Sequence, residues 1–451
     1  MRNVEQLQVR LVGWFDSLRA SLWLVPTACI AGALVLARLL VAAEPLPGWI
    51  PEAIVFGPSS EGARAVLGEL AGATVTVVGL VFSLTVIALQ MASSQFSPRL
   101  LRTFLKDRGV QVVLGGMLAS AVFDIAVLRT VRSPSEDMEA FVPRAAVTVA
   151  LILALGAVGL LVYFLHHITR MLRVDVTMGA IKNEALIQIR GLPAGREVLP
   201  DAEGPEPPDS AHVVTAALAG YLQRVDLAAL AHGARAAKAV VRLRPVMGQW
   251  VTQGTTLAWV WPATGSEGVD AGRADVLVHR GLHLGPDRTE SQDLAFGLRQ
   301  LQDIAARSLS SGVNDPTTAV QAIGQMAAVM SALARQPLGA DLALDADGAV
   351  RVVVPRPSFA AHLELAIGQS RRYGSDEPDV LIALLQLLID VGELVADHAD
   401  RTEVVRRQIG RVESAADLDD AGDLERVGAV AEVARRTLER GLRPAGWAEA
   451  G

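Results

Sequence analysis

The sequence predicts a membrane protein with four transmembrane helices, followed by a cytoplasmic α+β portion that holds a small β module and a helical bundle. Three observations lead to this fold class. Four apolar runs of membrane-spanning length lie within the first 170 residues. The hydrophobic fraction of 51% and the mean hydropathy of +0.35 are high for a soluble protein. After residue 174, strand-like and helical patterns alternate without another such run.

The four predicted spans cover roughly 22–43, 68–94, 110–130 and 141–166. Each is near or above the ~20 residues that cross ~30 Å of hydrocarbon. The second span is the longest, so it should tilt or protrude from the bilayer.

The sequence divides into five predicted domains. They are an amphipathic N-terminal segment (1–21), a transmembrane domain (22–170), a helix with a Pro-rich acidic linker (171–212), a small β-containing cytoplasmic module (213–288) and a mainly helical cytoplasmic domain (289–451).

The distribution of Lys and Arg predicts the orientation in the membrane. Basic residues precede the first span, separate the second from the third, and follow the fourth. The other two loops are acidic or mixed. Because Lys and Arg are enriched in cytoplasmic loops, both termini and the large C-terminal portion should be cytoplasmic.

The second span carries a stripe of small and polar residues in a stretch without charge from Ala71 to Ser94. Steps of three, four or seven place the stripe on one helix face. Its members are Gly72, Thr76, Gly79, Ser83, Gln90 and Ser94. Two interpretations stay open: the stripe lines a pore, or it packs against another helix, because small residues let membrane helices approach closely. Gln90 argues against packing alone, since a large amide is costly to leave unpaired in lipid.

Asp124 is an acid deep in the third span. Intramembrane carboxylates are costly and are usually paired or functional. Arg38, near the end of the first span, is at a comparable depth and is the candidate partner. A structural Arg38–Asp124 pair and an Asp124 that handles protons or ions are the two interpretations.

The loop between spans two and three, FSPRLLRTFLKDRG, predicts a short interfacial helix with an apolar and a basic side. The basic residues are Arg99, Arg102, Lys106 and Arg108. They would contact anionic lipid, or they would serve only as the positively charged loop that fixes topology.

The soluble half begins with β patterns. AVVRLR, QWV and TLAWVW predict strands separated at Gly248 and Gly254, ADVLVHRGLHLG predicts another, and VRVVVPRP a last one. A helix is expected over about 222–231, with Asp226 as an alternative start.

The helical part of the soluble half contains DRTESQDLAFGLRQLQDIAARSLSSGVNDPTTA. Thr289 and Gln292 fit a capping box. Asp315 and Pro316 fit an N-cap and a first-turn proline. Two interpretations of the polar residues in this segment stay open. They form a cytoplasmic polar site for a ligand or a neighbouring subunit, or they serve only in turn formation and helix capping. The residues are Arg299, Gln300, Arg307, Asn314 and Asp315.

Several function classes are disfavoured. A net charge of −7 argues against nucleic-acid binding. The single Cys29 excludes an internal disulfide framework. No nucleophile, phosphate-loop or zinc-protease motif is found, so no enzyme activity, cofactor or metal is expected. His279 and His283 would face the same side of a strand, but a metal site there is not favoured.

Two segments carry a family resemblance. ATVTVVGLVFSLTVIALQMASSQFSPRLL and FGLRQLQDIAARSLSSGVNDPTTA are similar to a bacterial family of predicted multi-pass membrane proteins of unknown function. The resemblance extends over nearly the whole chain, and the second segment is specific. The chain departs at Ser311, where proline is expected, and at Gln249, where an acid is expected. The resemblance implies a bacterial inner-membrane protein with a cytoplasmic C-terminal portion, and it implies no activity.

Two functions follow from these observations. The first is a homo-oligomeric channel or conduit in the lipid bilayer, with a cytoplasmic collar. The alternative is a membrane-anchored scaffold or sensor that acts through its cytoplasmic helical domain.

Overall fold

A computed structural model of the chain describes residues 23–44, 56–95, 107–134, 140–171, 173–192, 198–200, 204–263, 268–290 and 292–441. Thirteen helices and nine strands lie within these residues. The chain divides into two compact units, Met1–Val174 and Asp175–Gly451, which we call the membrane unit and the C-terminal unit.

The membrane unit contains four helices: α1 (Leu24–Ala42), α2 (Ser60–Gln95), α3 (Arg108–Leu128) and α4 (Arg144–Met171). Helix α3 packs against each of the other three. Two adjacent glycines permit this packing. A Cβ at Gly115 would lie 3.1 Å from the Cα of Pro26 in α1, and a Cβ at Gly116 would lie 2.6 Å from Cδ1 of Leu160 in α4. Helix α3 is therefore the centre of the unit.

Two apolar clusters form the core of the membrane unit. One lies toward the ends of α1 and α3 and contains Ala33, Ala37, Ala63, Leu67, Phe123, Val127, Val131, Ala146, Val147 and Ala150. The other lies toward the start of α3 and contains Val81, Ala88, Val113, Met117, Ala157, Phe164 and Ile168. Along their helices, the buried polar residues Thr74 and Ser120 come between the residues of the two clusters.

Helix α2 begins eight residues before the predicted span, at Ser60 rather than residue 68. The Ser59 hydroxyl accepts a hydrogen bond from the backbone N–H of Gly62 (3.2 Å), which satisfies a donor at the helix start. At 1.5 Å per residue, a helix of 36 residues is about 54 Å long. It is therefore longer than the predicted span over 68–94, and it exceeds the hydrocarbon thickness by a correspondingly larger amount.

By length and composition, five of the described helices qualify as membrane spans, whereas the sequence predicted four. Four are α1 to α4, and the fifth is α9 (Pro316–Ala334) in the C-terminal unit. Helix α9 packs there against neighbouring helices and buries nine of its residues. A helix that is buried on most of its sides in a protein core is as apolar as a membrane span. Length and composition alone therefore do not determine how many of these helices cross the membrane.

The C-terminal unit contains two sheets within the described residues. The six-stranded sheet has the order β1-β8-β9-β4-β6-β2, in which only the β4–β9 pair is parallel. The three-stranded sheet has the antiparallel order β5-β3-β7. The strands are β1 (Val198–Pro200), β2 (His212–Thr215), β3 (Gly220–Val225), β4 (Ala239–Leu243), β5 (Trp250–Val251), β6 (Thr256–Pro262), β7 (Leu282–Gly285), β8 (Gly339–Leu344) and β9 (Val350–Val354).

The larger sheet takes strands from both sides of the predicted boundary at residue 288. Strands β4 and β6 precede the boundary, whereas β8 and β9 follow it. Val241 of β4 lies in register with Val352 of β9, and both are fully buried. The predicted β module and helical domain therefore share one sheet.

The remaining helices belong to the C-terminal unit. They are α5 (Val174–Arg190), α6 (Leu227–Ala236), α7 (Ala271–Gly281), α8 (Leu294–Ser308), α10 (Phe359–Tyr373), α11 (Pro378–Leu394), α12 (Ala399–Ala415) and α13 (Ala421–Gly441). Helices α8 to α13 pack together as a bundle. Helices α6 and α7 cover a core that includes Leu230, Val241 and Val278.

Local signals in this unit are confirmed in part. Asp226 and Asp315 cap α6 and α9, which confirms the predicted N-cap at Asp315 and the alternative helix start at Asp226. The helix predicted over about 222–231 is wrong at its start, because β3 extends to Val225 and α6 begins at Leu227. The predicted capping box is wrong, because α8 begins at Leu294 and its cap is Asp293. The strand predicted in ADVLVHRGLHLG is wrong over most of its length. Residues 271–281 form α7 because Asp270 accepts a hydrogen bond from the backbone N–H of Arg273 (2.7 Å) and starts the helix.

Candidate functional site

The stripe on α2 faces away from the other three helices of the membrane unit. Gly72, Thr76, Gly79, Ser83 and Gln90 are all exposed. No described atom outside the local helix backbone would lie within 4 Å of a Cβ added at Gly72 or Gly79. Ser94 lies in α2, but its side chain is outside the described part of the structure. Packing inside a single membrane unit therefore does not account for the described members of the stripe.

The opposite face of α2 makes the contacts within the unit. Leu67 and Val81 on this face are fully buried, and they belong to the two apolar clusters. Large exposed apolar side chains, including Phe82 and Ile87, flank the stripe on either side. The stripe is thus a band of small and polar groups within an apolar outer surface.

Two polar groups of the stripe differ in how they are satisfied. The Thr76 hydroxyl donates to the backbone carbonyl of Gly72 (2.9 Å), so it needs no partner outside its own helix. The Gln90 amide has no hydrogen-bond partner among the described residues. Exposed to hydrocarbon, an amide without a partner costs several kcal/mol, so this position favours contact with water or another polar surface.

Asp124 lies on the inner side of α3 and is fully buried. Neither of its carboxyl oxygens has a hydrogen-bond partner in the described part of the chain. Ser120, one turn earlier on α3, is also buried without a partner for its hydroxyl among those residues. Of the two interpretations of Asp124, the structural pair with Arg38 is therefore not seen in the described structure.

Arg38 is separated from Asp124 because it lies on the exposed side of α1. It lines a groove between α1 and the end of α3, together with Arg129 and Thr130. The sequence placed Arg38 and Asp124 at a similar depth, but depth alone does not determine which way each side chain faces.

The five residues of the predicted cytoplasmic polar site do not form one cluster. Gln300 is buried in α8, beside a narrow space that also borders Glu184 and Gln188 of α5. The close approach of these helices is allowed by Gly297, where a Cβ would lie 2.7 Å from the Cβ of Ala185. Arg299 is on the same helix, and at 1.5 Å per residue it is about 12 Å along the axis from Arg307.

The other end of the predicted site is a capped turn. Asp315 accepts hydrogen bonds from the backbone N–H (3.0 Å) and the hydroxyl (2.6 Å) of Thr318. These bonds hold the pKa of the Asp315 carboxyl below its usual value. Asn314 is exposed and has a left-handed backbone (φ 49°), which asparagine tolerates better than most residues. Turn chemistry and capping accounts for both residues.

A buried polar cluster lies where the sheets meet the bundle, and sequence analysis missed it. Asp293 accepts two hydrogen bonds from the Arg288 guanidinium (2.5 and 3.1 Å) while it caps α8. His362 is buried nearby, with Nδ1 donating to the Ser358 carbonyl (2.9 Å). Burial holds the pKa of His362 below its usual value. Gly248 packs on this ion pair at φ +74°, where a Cβ would collide with Asp293.

The remaining candidates are only partly described. Arg108 is exposed at the start of α3, whereas Arg99, Arg102 and Lys106 lie outside the described residues. Within the described ranges, no group of three or more His, Cys, Asp and Glu residues is arranged to hold a metal ion.

The helices of the membrane unit define the class of this protein: a multi-helix membrane protein with an additional α+β unit. The chain belongs to DUF2254, a family of predicted membrane proteins, whose match covers residues 19–390. It is 38% identical over 427 residues to the uncharacterized proteins Rv1290c of Mycobacterium tuberculosis (strain H37Rv) and Mb1321c of Mycobacterium bovis. The alignment covers 94% of this chain and 81% of each relative. No solved structure matches the chain.

Proposed function

We propose that the chain assembles into a homo-oligomeric channel or conduit in the bacterial inner membrane. Helix α2 would line the path, the C-terminal unit would form a collar, and both termini would be cytoplasmic. The observation that carries this proposal is the outward-facing stripe on α2, whose Gly72 and Gly79 meet open space in the described structure.

The chemistry of the stripe supports association rather than exposure to lipid. Small residues let helices of neighbouring copies approach closely, and polar side chains then find partners or water. Polar residues within spans generally face a bundle interior or a water-filled cavity. In a single copy, Ser83 and Gln90 face neither, because the other three helices pack on the opposite side of α2.

The proposed orientation rests on the distribution of Lys and Arg in the sequence. Of the basic residues between the second and third spans, Arg108 is described and is exposed at the start of α3. Contact between anionic lipid and the basic loop, through Arg99, Arg102, Lys106 and Arg108, remains a prediction.

Ion flux from liposomes that hold the purified full chain tests the proposal. The variants are Ser83→Leu and Gln90→Leu, and the matched control is Phe82→Leu, which is exposed on α2 but outside the stripe. Apolar side chains in a narrow path exclude water, so flux should fall about tenfold or more in the two stripe variants and stay near wild type in the control.

Absence of wild-type flux under ionic gradients, pH steps and osmotic stretch would count against a channel. An equal loss in all three variants would count against the stripe as the path. Absence of wild-type flux would favour the membrane-anchored scaffold or sensor, and the search would then move to binding partners of the C-terminal unit.

A further inference from the structure

A groove at one end of the membrane unit combines an apolar wall with two cationic side chains. It lies between α1 and the end of α3 and has a volume of about 410 Å³. Leu34, Ala37 and Val41 of α1 form most of the wall. Arg38 and Arg129 border the same space. The volume is within the range of small-molecule sites, and the groove is open along its side.

Both guanidinium groups lack a protein counter-charge in the described part of the chain. Arg38 and Arg129 are exposed, and no described carboxylate forms an ion pair with either. Glu44, which follows α1, is directed elsewhere. One of its oxygens accepts from the backbone N–H of Arg144 (3.2 Å), and the other is buried without a partner among the described residues. The ends of α1 and α3 supply only partial negative charge.

We propose that this groove binds one anionic phospholipid. The headgroup phosphate would lie between Arg38 and Arg129, and an acyl chain would lie along Leu34, Ala37 and Val41. Guanidinium groups match phosphate oxygens in geometry and charge, and they are costly in a membrane without a counter-charge. A free anion would leave the apolar wall unused, whereas a lipid occupies both parts of the groove.

The site differs from the predicted contact at the basic loop. Arg38 is near the end of α1 and Arg129 directly follows α3, so both lie at the end of the membrane unit opposite the loop between α2 and α3. The two sites would therefore contact different leaflets, and each can be tested without changing the other.

Native mass spectrometry of the full chain tests the proposal, with the protein released from nanodiscs that contain equal amounts of phosphatidylglycerol and phosphatidylcholine. Two exposed charge contacts should give wild type a preference of about fivefold for retained phosphatidylglycerol. The double variant Arg38→Gln/Arg129→Gln should lose this preference, apart from any contribution of the basic loop, which both proteins share. Arg64→Gln, at an exposed arginine near the start of α2, is the matched control and should keep the preference.

Equal retention of both lipids by wild type would overturn the proposal, and so would an unchanged preference in the double variant. Displacement of phosphatidylglycerol by inorganic phosphate would identify a general anion site and would also overturn it. If the double variant does not fold, each single variant should still lose about half of the preference. Single variants that match wild type would then contradict the proposal.

Discussion

Helices α2 and α3 carry similar small and polar residues but use them in opposite ways. In α3, Gly115 and Gly116 face the neighbouring helices at distances that leave no room for a side chain, and Asp124 points into the core. In α2, Gly79 and Gln90 point outward. Composition alone therefore does not distinguish a helix whose small residues pack inside the unit from a helix whose small residues face outward. The distinction depends on whether other helices of the unit contact those residues.

The largest effect is expected from placing the same side chain on each helix. Gly115→Leu would push against the backbone of α1 at Pro26 and should lower the free energy of unfolding by about 1–3 kcal/mol or more. Gly79→Leu meets open space, so the stability of one chain should be unchanged, while the proposed oligomer should weaken. Thermal unfolding in detergent measures the first effect, and cross-linking in membranes measures the second.

Equal destabilisation by the two leucines would show that Gly79 is already packed within one chain. Normal cross-linking of Gly79→Leu would remove the stripe from the proposed interface. The comparison between α2 and α3 would fail in either case.

The spacing of the stripe was predictable from the sequence, but the direction in which it faces was not. Steps of three and four residues place Gly72, Thr76 and Gly79 on one face in any helix. The face of α2 that meets α3 is determined by the packing of buried side chains such as Leu67 and Val81 into the two apolar clusters. These clusters combine residues from several helices, so a local sequence pattern does not reveal them.

The same distinction holds for the other candidates. Asp315 capped its helix as predicted, because capping involves only neighbours in sequence. Valine-rich ADVLVHRG suggested a strand, yet a local cap at Asp270 and packing of Val278 in the core favour a helix. The groove beside Arg38 and Arg129 joins residues about ninety positions apart, so no local pattern indicates it.

A smaller effect compares Asp107, which caps α3, with Asp124 inside the same helix. Asp107 accepts a hydrogen bond from the backbone N–H of Val110 (2.9 Å) and contacts Nε2 of His167 (2.8 Å). Asp107→Ala should therefore cost about 1 kcal/mol. Asp124→Asn removes no hydrogen bond, so its unfolding temperature should equal or exceed that of wild type.

The outcome decides whether Asp124 has a partner. Truncating one member of a buried ion pair costs about 3–5 kcal/mol. A loss of that size in Asp124→Asn would show that the carboxylate is paired in the membrane after all. Unchanged stability together with altered ion flux would instead assign Asp124 to proton or ion handling.

The smallest effect concerns His362, a buried polar group of the C-terminal unit. Its Nε2 has no partner among the described residues, and Asp293 and Arg356 line the same small space. Burial lowers the pKa of His362 in the folded chain, so the unfolded chain binds a proton first. Stability contributed by the neutral imidazole is fully present above about pH 6.5 and declines as the pH falls below that value.

His362→Gln tests this pH dependence, because glutamine can donate to the Ser358 carbonyl but does not titrate. The unfolding temperature of wild type should fall between pH 7 and pH 5 by more than that of the variant. If wild type and variant showed the same decline, His362 would not be the titrating group. A smaller decline in wild type would mean that the charge of Asp293 stabilises the protonated ring by more than burial destabilises it.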